Sequence, residues 1–509
     1  MKLSTGAAYL LMMGSAASFL GNCGNAGHTE FNPNEAASGA GGSGQSSTSS
    51  TGTGRTTVGG SLNLGTGGYA IADAGPPRAC VGLGCERAGC TAGPCKQKPC
   101  EGATRTTISG YVYDPAGKVP LYNVIVYVPN GPVAPFTPGA TCDRCSTSAI
   151  NAAASALTDT KGHFVIDDAP IGAKIPLVVQ VGKWRRQLEI ANVPRCVETA
   201  IADKELTRLP RNKAEGNIPL IAITTGGADS MECLPLRMGI DPKEFTNASG
   251  NGRIHLFKGH DNPPQTATGA FDATGGSTVL TDATTLWNDV NALKKYDMVI
   301  LSCEGEIYEE TKPMTARQAL YDYESLGGRV FASHWHHIWF SGGPQPVPTI
   351  GNWQHGPNPI DPIDATVNVS FPKGKALSEW LVTVGASMTP GTLQIQKARD
   401  DIDSVNPAAA TEWISLENTR VGNVAEQHTV EFLSFNAPIG VPEEQQCGRA
   451  VFNDMHVSES TGDTPGGAYP GSCMPGDLSN QEKVLEFLLF DLSSCVRRDD
   501  QPPVPPVVN

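Results

Sequence analysis

The stretch Ile218-Pro219-Leu220-Ile221-Ala222-Ile223 decides the fold of the larger part of this sequence. A continuous apolar run of this kind is typical of a strand that is buried on both faces of a sheet. The runs 296–301 and 330–333 have the same character, and helical patterns at 286–295 and 313–326 lie before them. Because buried strands and helices alternate, we predict an α/β domain with a parallel sheet and helices on both of its faces.

Weaker signals extend this pattern in both directions. A second strand is predicted at 253–257, and later strands are predicted at 430–435 and 450–452. Ser479-Asn480-Gln481-Glu482 is a capping box that opens a last apolar helix. These elements place the α/β domain at residues 216–496.

The region before this domain changes to short strands separated by Gly, Pro and Asp turns, which is typical of a small β-sandwich. It contains, in this order, the segments Ile108-Ser109-Gly110-x-Val112-x-Asp114, Pro120-Leu121-x-Asn123-Val124-x-Val126, Thr158-Asp159-x-x-Gly162-x-Phe164 and Ala169-Pro170-x-Gly172. Together they resemble the carboxypeptidase regulatory-like domain. The resemblance implies a transthyretin-like β-sandwich over residues 105–205 that carries no peptidase chemistry, with an inserted loop at 131–155.

The N-terminal residues indicate the compartment. An uncharged, largely apolar run from Ala7 to Leu20 follows Lys2, and it is too short to span a bilayer but typical of a signal peptide. Leu20-Gly21-Asn22-Cys23 resembles the bacterial lipoprotein processing site, which implies lipidation of Cys23. We therefore predict an exported, membrane-anchored lipoprotein of the cell envelope, and the alternative is an ordinary cleaved signal and a secreted protein.

Composition divides the rest of the chain. Gly, Ser, Thr, Ala and Asn dominate residues 24–79, which cannot bury enough apolar surface to offset the entropy of ordering. The net charge of −14 argues against a nucleic-acid partner. The predicted segments are a signal peptide with lipobox at 1–23, a disordered linker at 24–79, a Cys-rich segment at 80–104, the β-sandwich at 105–205, the α/β domain at 216–496 and a disordered tail at 497–509.

The chain has 14 cysteines, and the cysteines of exported proteins usually pair. Without Cys23 their number is odd, and Cys303 is our candidate for the free one. The segment Cys142-Asp143-Arg144-Cys145 leaves a redox pair as an alternative to structural disulfides, which we favour. The disulfide candidates are Cys80, Cys85, Cys90, Cys95, Cys100, Cys142, Cys145, Cys196, Cys233, Cys447, Cys473 and Cys495.

Titratable residues follow several predicted strands of the α/β domain. In a sheet of this type, ligands bind outside the carboxyl ends of the strands. These ends carry Cys303-Glu304-Gly305-Glu306, His334-Trp335-His336-His337 and Asn453-Asp454-Met455-His456. We therefore expect a thiol, carboxylates and imidazoles to gather on one rim.

Two of these segments carry a second resemblance. One segment resembles the glycine-glycine-strand-histidine segment of trehalose-utilisation (ThuA-like) proteins: Gly327-Gly328-Arg329-Val330-Phe331-Ala332-Ser333-His334. The other is similar to the late strand and histidine of that family: Gly448-Arg449-Ala450-Val451-Phe452-x-x-Met455-His456. The resemblance covers residues 218–495 and implies a class I glutamine amidotransferase-like fold of flavodoxin type. It places His334 and His456 near a shared rim and implies little about activity.

Three chemistries fit this rim. A glutaminase needs a nucleophilic Cys in the turn that His334 occupies, so Cys303 would have to act from another strand with His334 or His336 as base. A metal site would use His334 and His336, which share one face if the segment is a strand, with Glu304 or Glu306. Paired carboxylates would use the same two glutamates. The alternative in each case is a packed side chain with a structural role.

The catalytic candidates are thus Cys303, Glu304, His334 and His456, and the metal candidates are His334, His336 and Glu306. The sequence favours a non-catalytic binding or adhesion role without a cofactor, with carbohydrate or a cell-surface protein as ligand and a membrane contact through the N-terminal lipid. The alternative is an exported hydrolase, assisted by a divalent metal, that acts from this rim.

Overall fold

The computed structural model describes residues 80, 82–88, 90, 95–146, 150–260, 280–418 and 427–506. All of them belong to one compact unit, Asp73–Asn509. The predicted signal peptide, Cys23 and the linker 24–79 lie outside the described residues, so that they remain predictions.

The first part of the described chain forms two sheets. Its elements are β1 (Thr107–Tyr111), β2 (Ile125–Pro129), β3 (Ala152–Leu157), β4 (His163–Ile166), β5 (Gly172–Val181), β6 (Trp184–Val193), β7 (Glu198–Ile201) and the single helical turn α1 (Lys204–Thr207). One sheet has the order β4-β1-β7 and the other the order β3-β2-β5-β6. Ile108 and Phe164 of the first sheet and Val126 and Leu177 of the second are buried in one apolar core, so the two sheets pack as a sandwich. Strand β3 begins inside the segment 131–155, which was expected to be a loop, because it pairs with β2.

The second part alternates strands and helices. Its strands are β8 (Ile221–Thr225), β9 (Phe245–Asn247), β10 (Ile254–Lys258), β11 (Thr281–Asp282), β12 (Met298–Leu301), β13 (Arg329–Ser333), β14 (Gly351–Trp353), β15 (Ile363–Val367), β16 (Thr392–Ile395), β17 (Ile402–Val405), β18 (Ala410–Asn418), β19 (Gln427–Ala437) and β20 (Gly448–Asn453). Its helices are α2 (Cys233–Arg237), α3 (Thr284–Trp287), α4 (Val290–Leu293), α5 (Met314–Ser325), α6 (Ile338–Ser341), α7 (Pro372–Thr383), α8 (Ser458–Thr461) and α9 (Asn480–Ser493). Among the residues described, no helix is long and apolar enough to cross a membrane.

A large mixed sheet organises this part. Strands β10, β8, β12, β13 and β20 lie side by side and parallel, as the apolar runs predict. Strands β19, β18, β15 and β16 continue the same sheet in antiparallel fashion. The prediction of several domains agrees with the β-rich, multidomain fold, but the sheet that was predicted to be parallel is mixed. The antiparallel extension comes from the chain between β13 and β20, and its connections reach the rim at the carboxyl ends of the parallel strands.

Two local predictions about helices have different outcomes. The helix expected at 286–295 is two short helices, α3 and α4. The chain begins a second helix there because the Asp289 side chain accepts a hydrogen bond from the Asn291 backbone amide and thereby caps the N-terminus of α4. The capping box predicted at Ser479 and Glu482 is present at the start of α9, and both of its hydrogen bonds are formed.

Most of the disulfides join distant parts of the chain. Within the described residues the pairs are Cys80–Cys85, Cys90–Cys95, Cys100–Cys196, Cys142–Cys447, Cys145–Cys495 and Cys233–Cys473. Cys142 and Cys145 each pair with a cysteine of the α/β part, which rules out a redox pair between them. Cys303 is buried and, among the described cysteines, is the free one. The predicted disulfides are thus confirmed, and their number is compatible with export to an oxidising compartment.

The proline-rich C-terminal segment differs from its prediction as a disordered tail. The carboxylate of Asp499 is buried and accepts hydrogen bonds from Arg449 and Lys373 at 2.7 Å and 3.1 Å. The Ser155 hydroxyl donates a hydrogen bond to the Pro506 carbonyl oxygen. The segment 497–506 is held in place by a buried ion pair, a feature that proline content does not reveal.

Candidate functional site

The rim at the carboxyl ends of the parallel strands brings three of the predicted residues together. Cys303 follows β12, His334 follows β13 and His456 follows β20, and all three side chains are buried. The thiol sulfur of Cys303 lies 3.3 Å from Nδ1 of His334, and that nitrogen lies 3.1 Å from Nε2 of His456. The expectation from strand order thus agrees with the observed placement of these three residues.

His334 occupies a strained position. Its backbone φ is +44°, in the left-handed region that residues with a Cβ atom rarely adopt. The residue lies between the end of β13 and a turn of 3-10 helix at His334–His337. Such strain persists only where the surrounding structure enforces it, and it is concentrated at functional sites. The turn directs the His334 ring into the rim.

Two aspartates that were not among the predicted ligands complete the other side of the His334 ring. Asp401 precedes β17, and Asp454 follows β20. Nε2 of His334 lies 3.6 Å from Oδ2 of Asp401, and the Asp401 backbone amide donates to Oδ2 of Asp454 at 3.1 Å. One ligand atom from each of the three residues lies within 4.8 Å of the others. We call His334, Asp401 and Asp454 the rim centre.

The rim centre contains buried polar atoms that lack a partner. As long as both aspartates are ionised, Nε2 of His334, Oδ2 of Asp401 and Oδ1 of Asp454 form no hydrogen bond with any described residue. Leaving one buried polar atom unsatisfied costs about 1–3 kcal/mol. By contrast, the contacts of Nδ1 of His334 with Cys303 and His456 are short enough for hydrogen bonds. The atoms without a hydrogen bond therefore lie on the side of the His334 ring that faces the two aspartates.

Burial and charge set the protonation states of the centre. Burial lowers the pKa of His334 well below its usual value, and nearby His456 adds to this, so the ring is neutral at pH 7. Burial alone would raise the pKa of Asp401, but the hydrogen bond with His355 and the nearby histidines outweigh it and bring the pKa to about 2. Burial, and then the charge of Asp401, raise the pKa of Asp454 well above its usual value. The two carboxyl groups contact each other and therefore need a shared proton or a cation between them.

Other predicted candidates lie on the same rim but outside this centre. Nε2 of His336 lies 2.8 Å from the Ser302 carbonyl oxygen, and its Nδ1 accepts a hydrogen bond from Trp339 at 2.7 Å. Both nitrogens are occupied because the segment is a 3-10 helix, not the strand that would have placed His336 beside His334. The metal role expected for His336 is corrected on this ground.

The two glutamates expected as ligands or acids are also placed elsewhere. The carboxylate of Glu304 is buried and accepts hydrogen bonds from Lys312 at 2.5 Å and from the His260 backbone amide at 2.7 Å. Glu306 is exposed to solvent. Neither belongs to the rim centre, since Glu304 is neutralised by a buried lysine and Glu306 is exposed.

The buried thiol is not arranged as an activated nucleophile. Burial raises the pKa of Cys303, and the nearby carboxylates Asp229 and Glu304 add to the shift. The thiol is thus protonated at neutral pH, whereas a nucleophilic cysteine needs a lowered pKa. The catalytic role considered for Cys303 is not supported by this environment.

The centre has a solvent-facing edge. The His355 side chain is 51% exposed, and its Nδ1 lies 2.6 Å from Oδ1 of Asp401. The partly exposed Trp335 ring packs against both His355 and His334, with centroid distances of 4.7 Å and 4.9 Å. Arg399, also partly exposed, lies with a guanidinium nitrogen 3.3 Å from Nδ1 of His456. These partly exposed residues lie between the buried centre and solvent.

The sequence contained only part of the information needed to find these residues. Asp454 lies in a rim segment that strand order identifies, although nothing there singles it out as a ligand. Asp401 and His355 come from the long connection between β13 and β20, and they reach the rim only because that connection folds back along the sheet. The adjacent carboxylates Asp400-Asp401 were the one visible signal.

Comparisons with known proteins give no assignment. No protein-family model matches the sequence, and no curated protein matches it significantly. Among solved structures, a ThuA-like protein from Bacteroides uniformis is similar with a TM-score of 0.27 and 13% identity, over 47% of this chain and 83% of that chain. A chain of a type II cohesin–X-dockerin complex from Acetivibrio cellulolyticus is similar with a TM-score of 0.14 and 16% identity, over 29% of this chain and 79% of that one. Likenesses this weak establish neither a family nor a function.

Proposed function

We propose that this protein is an exported, metal-dependent hydrolase whose rim centre binds one divalent cation through His334, Asp401 and Asp454. The observation that carries the proposal is the convergence of three buried ligand atoms that, with both aspartates ionised, find no hydrogen-bond partner among the residues described. A cation between them would satisfy all three atoms and neutralise the contact between the two carboxyl groups. This favours the metal-assisted alternative of the sequence analysis over a purely non-catalytic role.

The chemistry of the donors supports a cation that accepts both nitrogen and oxygen ligands. A neutral imidazole offers one lone pair for a metal, and carboxylates suit manganese and magnesium. Neighbours hold the ligands as metal sites require, since His355 contacts Asp401 and His456 contacts the second ring nitrogen of His334. The rim centre therefore has ligands and supporting contacts of the usual kind.

A cation with three protein ligands keeps positions open for water and substrate. Held by His334, Asp401 and Asp454, the cation would supply the activation of water that metal-assisted hydrolysis of carbonyl or phosphoryl groups requires. The partly exposed residues His355, Trp335 and Arg399 lie on the side of the centre that faces solvent. The proposed reaction class is thus hydrolysis at this edge.

Calorimetric titration with manganese tests the proposal. The metal-free wild type should bind one Mn²⁺ per chain, and Asp401→Asn should weaken binding more than ~10-fold because it removes a ligand. Glu306→Gln, which changes an exposed carboxylate of the same rim, is the matched control and should bind normally. Hydrolysis of model esters and phosphate esters should depend on the added metal. Equal binding by wild type and Asp401→Asn would exclude the centre.

A second proposal, a non-catalytic binding role for carbohydrate or a surface protein, is favoured by a cavity of about 380 Å³. It lies where the sandwich, the 131–146 segment and the C-terminal segment meet, and its walls include Ile125, Phe136, Val181 and Val504. Pockets of this size accommodate small molecules. Saturable binding of soluble oligosaccharides that is lost in Val504→Asp would support this role, and no binding would remove it.

We also propose that the exported chain carries a lipid on Cys23 and that its two folded parts are a transthyretin-like sandwich and a glutamine amidotransferase-like α/β domain. The strand order β10-β8-β12-β13-β20 supports a flavodoxin-type sheet. Metabolic labelling with a lipid precursor tests the anchor. Labelling should disappear in Cys23→Ala, and unchanged labelling would contradict lipidation at this residue.

A further inference from the structure

We propose that Cys303, His334 and His456 form a second cation position that takes thiophilic divalent ions such as zinc or cadmium and excludes the cation of the rim centre. This inference rests on the proposed function only for its regulatory consequence. The position itself is argued from the side of the His334 ring that faces away from the two aspartates.

The geometry of the three residues suits a tetrahedral ion. Sγ of Cys303 and Nδ1 of His334 are 3.3 Å apart, and Nδ1 of His334 and Nε2 of His456 are 3.1 Å apart. All three ligand atoms lie within 4.8 Å of one another. Ligand atoms around tetrahedral zinc are separated by about 3.3–3.6 Å, given zinc–nitrogen and zinc–sulfur bonds of normal length. Two of the three ligand-atom distances are thus already close to those around a bound zinc ion.

The ligand types select a different class of metal from that of the rim centre. Thiolate and imidazole together favour zinc, cadmium and related soft ions, whereas carboxylates favour harder ions. The second ring nitrogen of His334 faces Oδ2 of Asp401 at 3.6 Å. A carboxylate behind a metal-bound histidine is the usual outer contact of zinc sites. Asp401 would thus be a ligand in one state and an outer contact in the other.

The two positions exclude each other because they share His334. A neutral imidazole carries a proton on one nitrogen and a lone pair on the other. With an ion at Nε2, Nδ1 must hold the proton, and with an ion at Nδ1, the proton is on Nε2 and points to Asp401. One chain therefore holds one ion or the other.

Binding at the second position has a defined proton balance. The Cys303 thiol loses its proton to solvent as the sulfur–metal bond forms, so that one proton is released for each ion bound. No oxidant or reductant takes part. A soft ion would thereby displace the cation of the rim centre and switch off the chemistry that depends on it.

Cadmium provides a direct test because its thiolate complexes absorb in the ultraviolet. The experiment uses the full chain with Cys23→Ser, so that Cys303 is the one thiol outside the disulfides of the described residues. Cadmium should produce a charge-transfer band that saturates at one ion per chain and should release bound Mn²⁺. Cys303→Ser should abolish the band, and His456→Gln should weaken cadmium binding more than ~10-fold.

Asp401→Asn separates this inference from the proposed function. This variant should keep the cadmium band while losing Mn²⁺. If no variant binds Mn²⁺ but the band still follows Cys303, the proposed function fails and the second position stands. A band that is absent from the parent protein, or that survives in both Cys303→Ser and His456→Gln, would overturn the inference.

Discussion

Two buried charged clusters of the α/β part differ in how their charges are satisfied. The tail cluster consists of Lys373, Arg449, Asp491 and Asp499. Lys373 and Arg449 each contact both aspartates, at distances between 2.7 Å and 3.1 Å. Two cations thus face two carboxylates, and the cluster is neutral without any added ion. Its role is to fix the C-terminal segment against the sheet.

The rim centre is buried to a similar degree but is balanced differently, since the half-exposed His355 pairs with Asp401 while Asp454 contacts that same carboxyl group. Its carboxyl groups contact each other, and the nearest group on one side is a neutral imidazole. A buried charge without a partner is costly and persists only where something else compensates it. The two clusters are equally buried, so burial does not distinguish a structural cluster from a ligand site. What distinguishes them is whether the buried charges are paired.

The largest expected effect comes from breaking the tail cluster. Asp499→Ala leaves Arg449 and Lys373 with one carboxylate fewer in a buried setting, and we expect a loss of about 3–5 kcal/mol in the free energy of unfolding. Denaturant unfolding measures it. The neighbouring Asp500→Ala removes an exposed pair with Arg498 and should change stability by less than ~1 kcal/mol. Similar losses in the two variants would remove the contrast between buried and exposed pairs.

The next effect is the stabilisation of the rim centre by metal. At a manganese concentration about 100 times the dissociation constant, the free energy of unfolding should rise by about 2.7 kcal/mol. Asp401→Asn should show no such rise, whereas Asp499→Ala should keep it despite its lower starting stability. Unfolding curves recorded with manganese and with a chelator provide the comparison. A rise of equal size in Asp401→Asn would place the metal elsewhere.

A substitution in the rim centre should have the opposite sign to its counterpart in the tail cluster. Asp454→Asn removes a carboxyl group whose pKa burial raises well above its usual value, and in metal-free protein at neutral pH it should stabilise the fold. Asp491→Asn removes a paired carboxylate and should destabilise it. Parallel urea titrations of both variants test the signs. If both variants destabilise the metal-free protein, the rim carboxylates are already compensated.

The smallest effect is expected at a partly exposed pair. The hydrogen bond with Glu412 raises the pKa of His428 to about 9, with Glu417 adding to the shift. Because the raised pKa favours the charged form in the folded protein, this stabilisation is present below the unfolded pKa of about 6.5 and is lost as the pH rises through about 9. His428→Gln should cost less than ~1 kcal/mol at acidic pH, with the gap closing in alkali. A gap that widens with pH would contradict the assignment.

The sequence predicts the strands and helices of this protein better than it predicts the residues of the rim centre. Continuous apolar runs predict the parallel strands because burial on both faces demands them, and the capping box at Ser479 is a purely local signal. Strand order alone puts Cys303, His334 and His456 on one rim. Local sequence patterns do not predict the contacts of residues that are positioned by segments distant in the chain. His336 turns away because its strand has ended, Asp401 arrives on a long connection, and Asp499 is held by Arg449 from another strand.

The most direct test of the proposed metal site is a crystal structure. The crystals are grown with manganese, and data are collected for anomalous scattering. We expect one anomalous peak within bonding distance of Nε2 of His334, Oδ2 of Asp401 and Oδ1 of Asp454. A manganese-soaked crystal without a peak at this position, with ordered waters donating hydrogen bonds to both carboxylates, would contradict the claim that these residues form a metal centre.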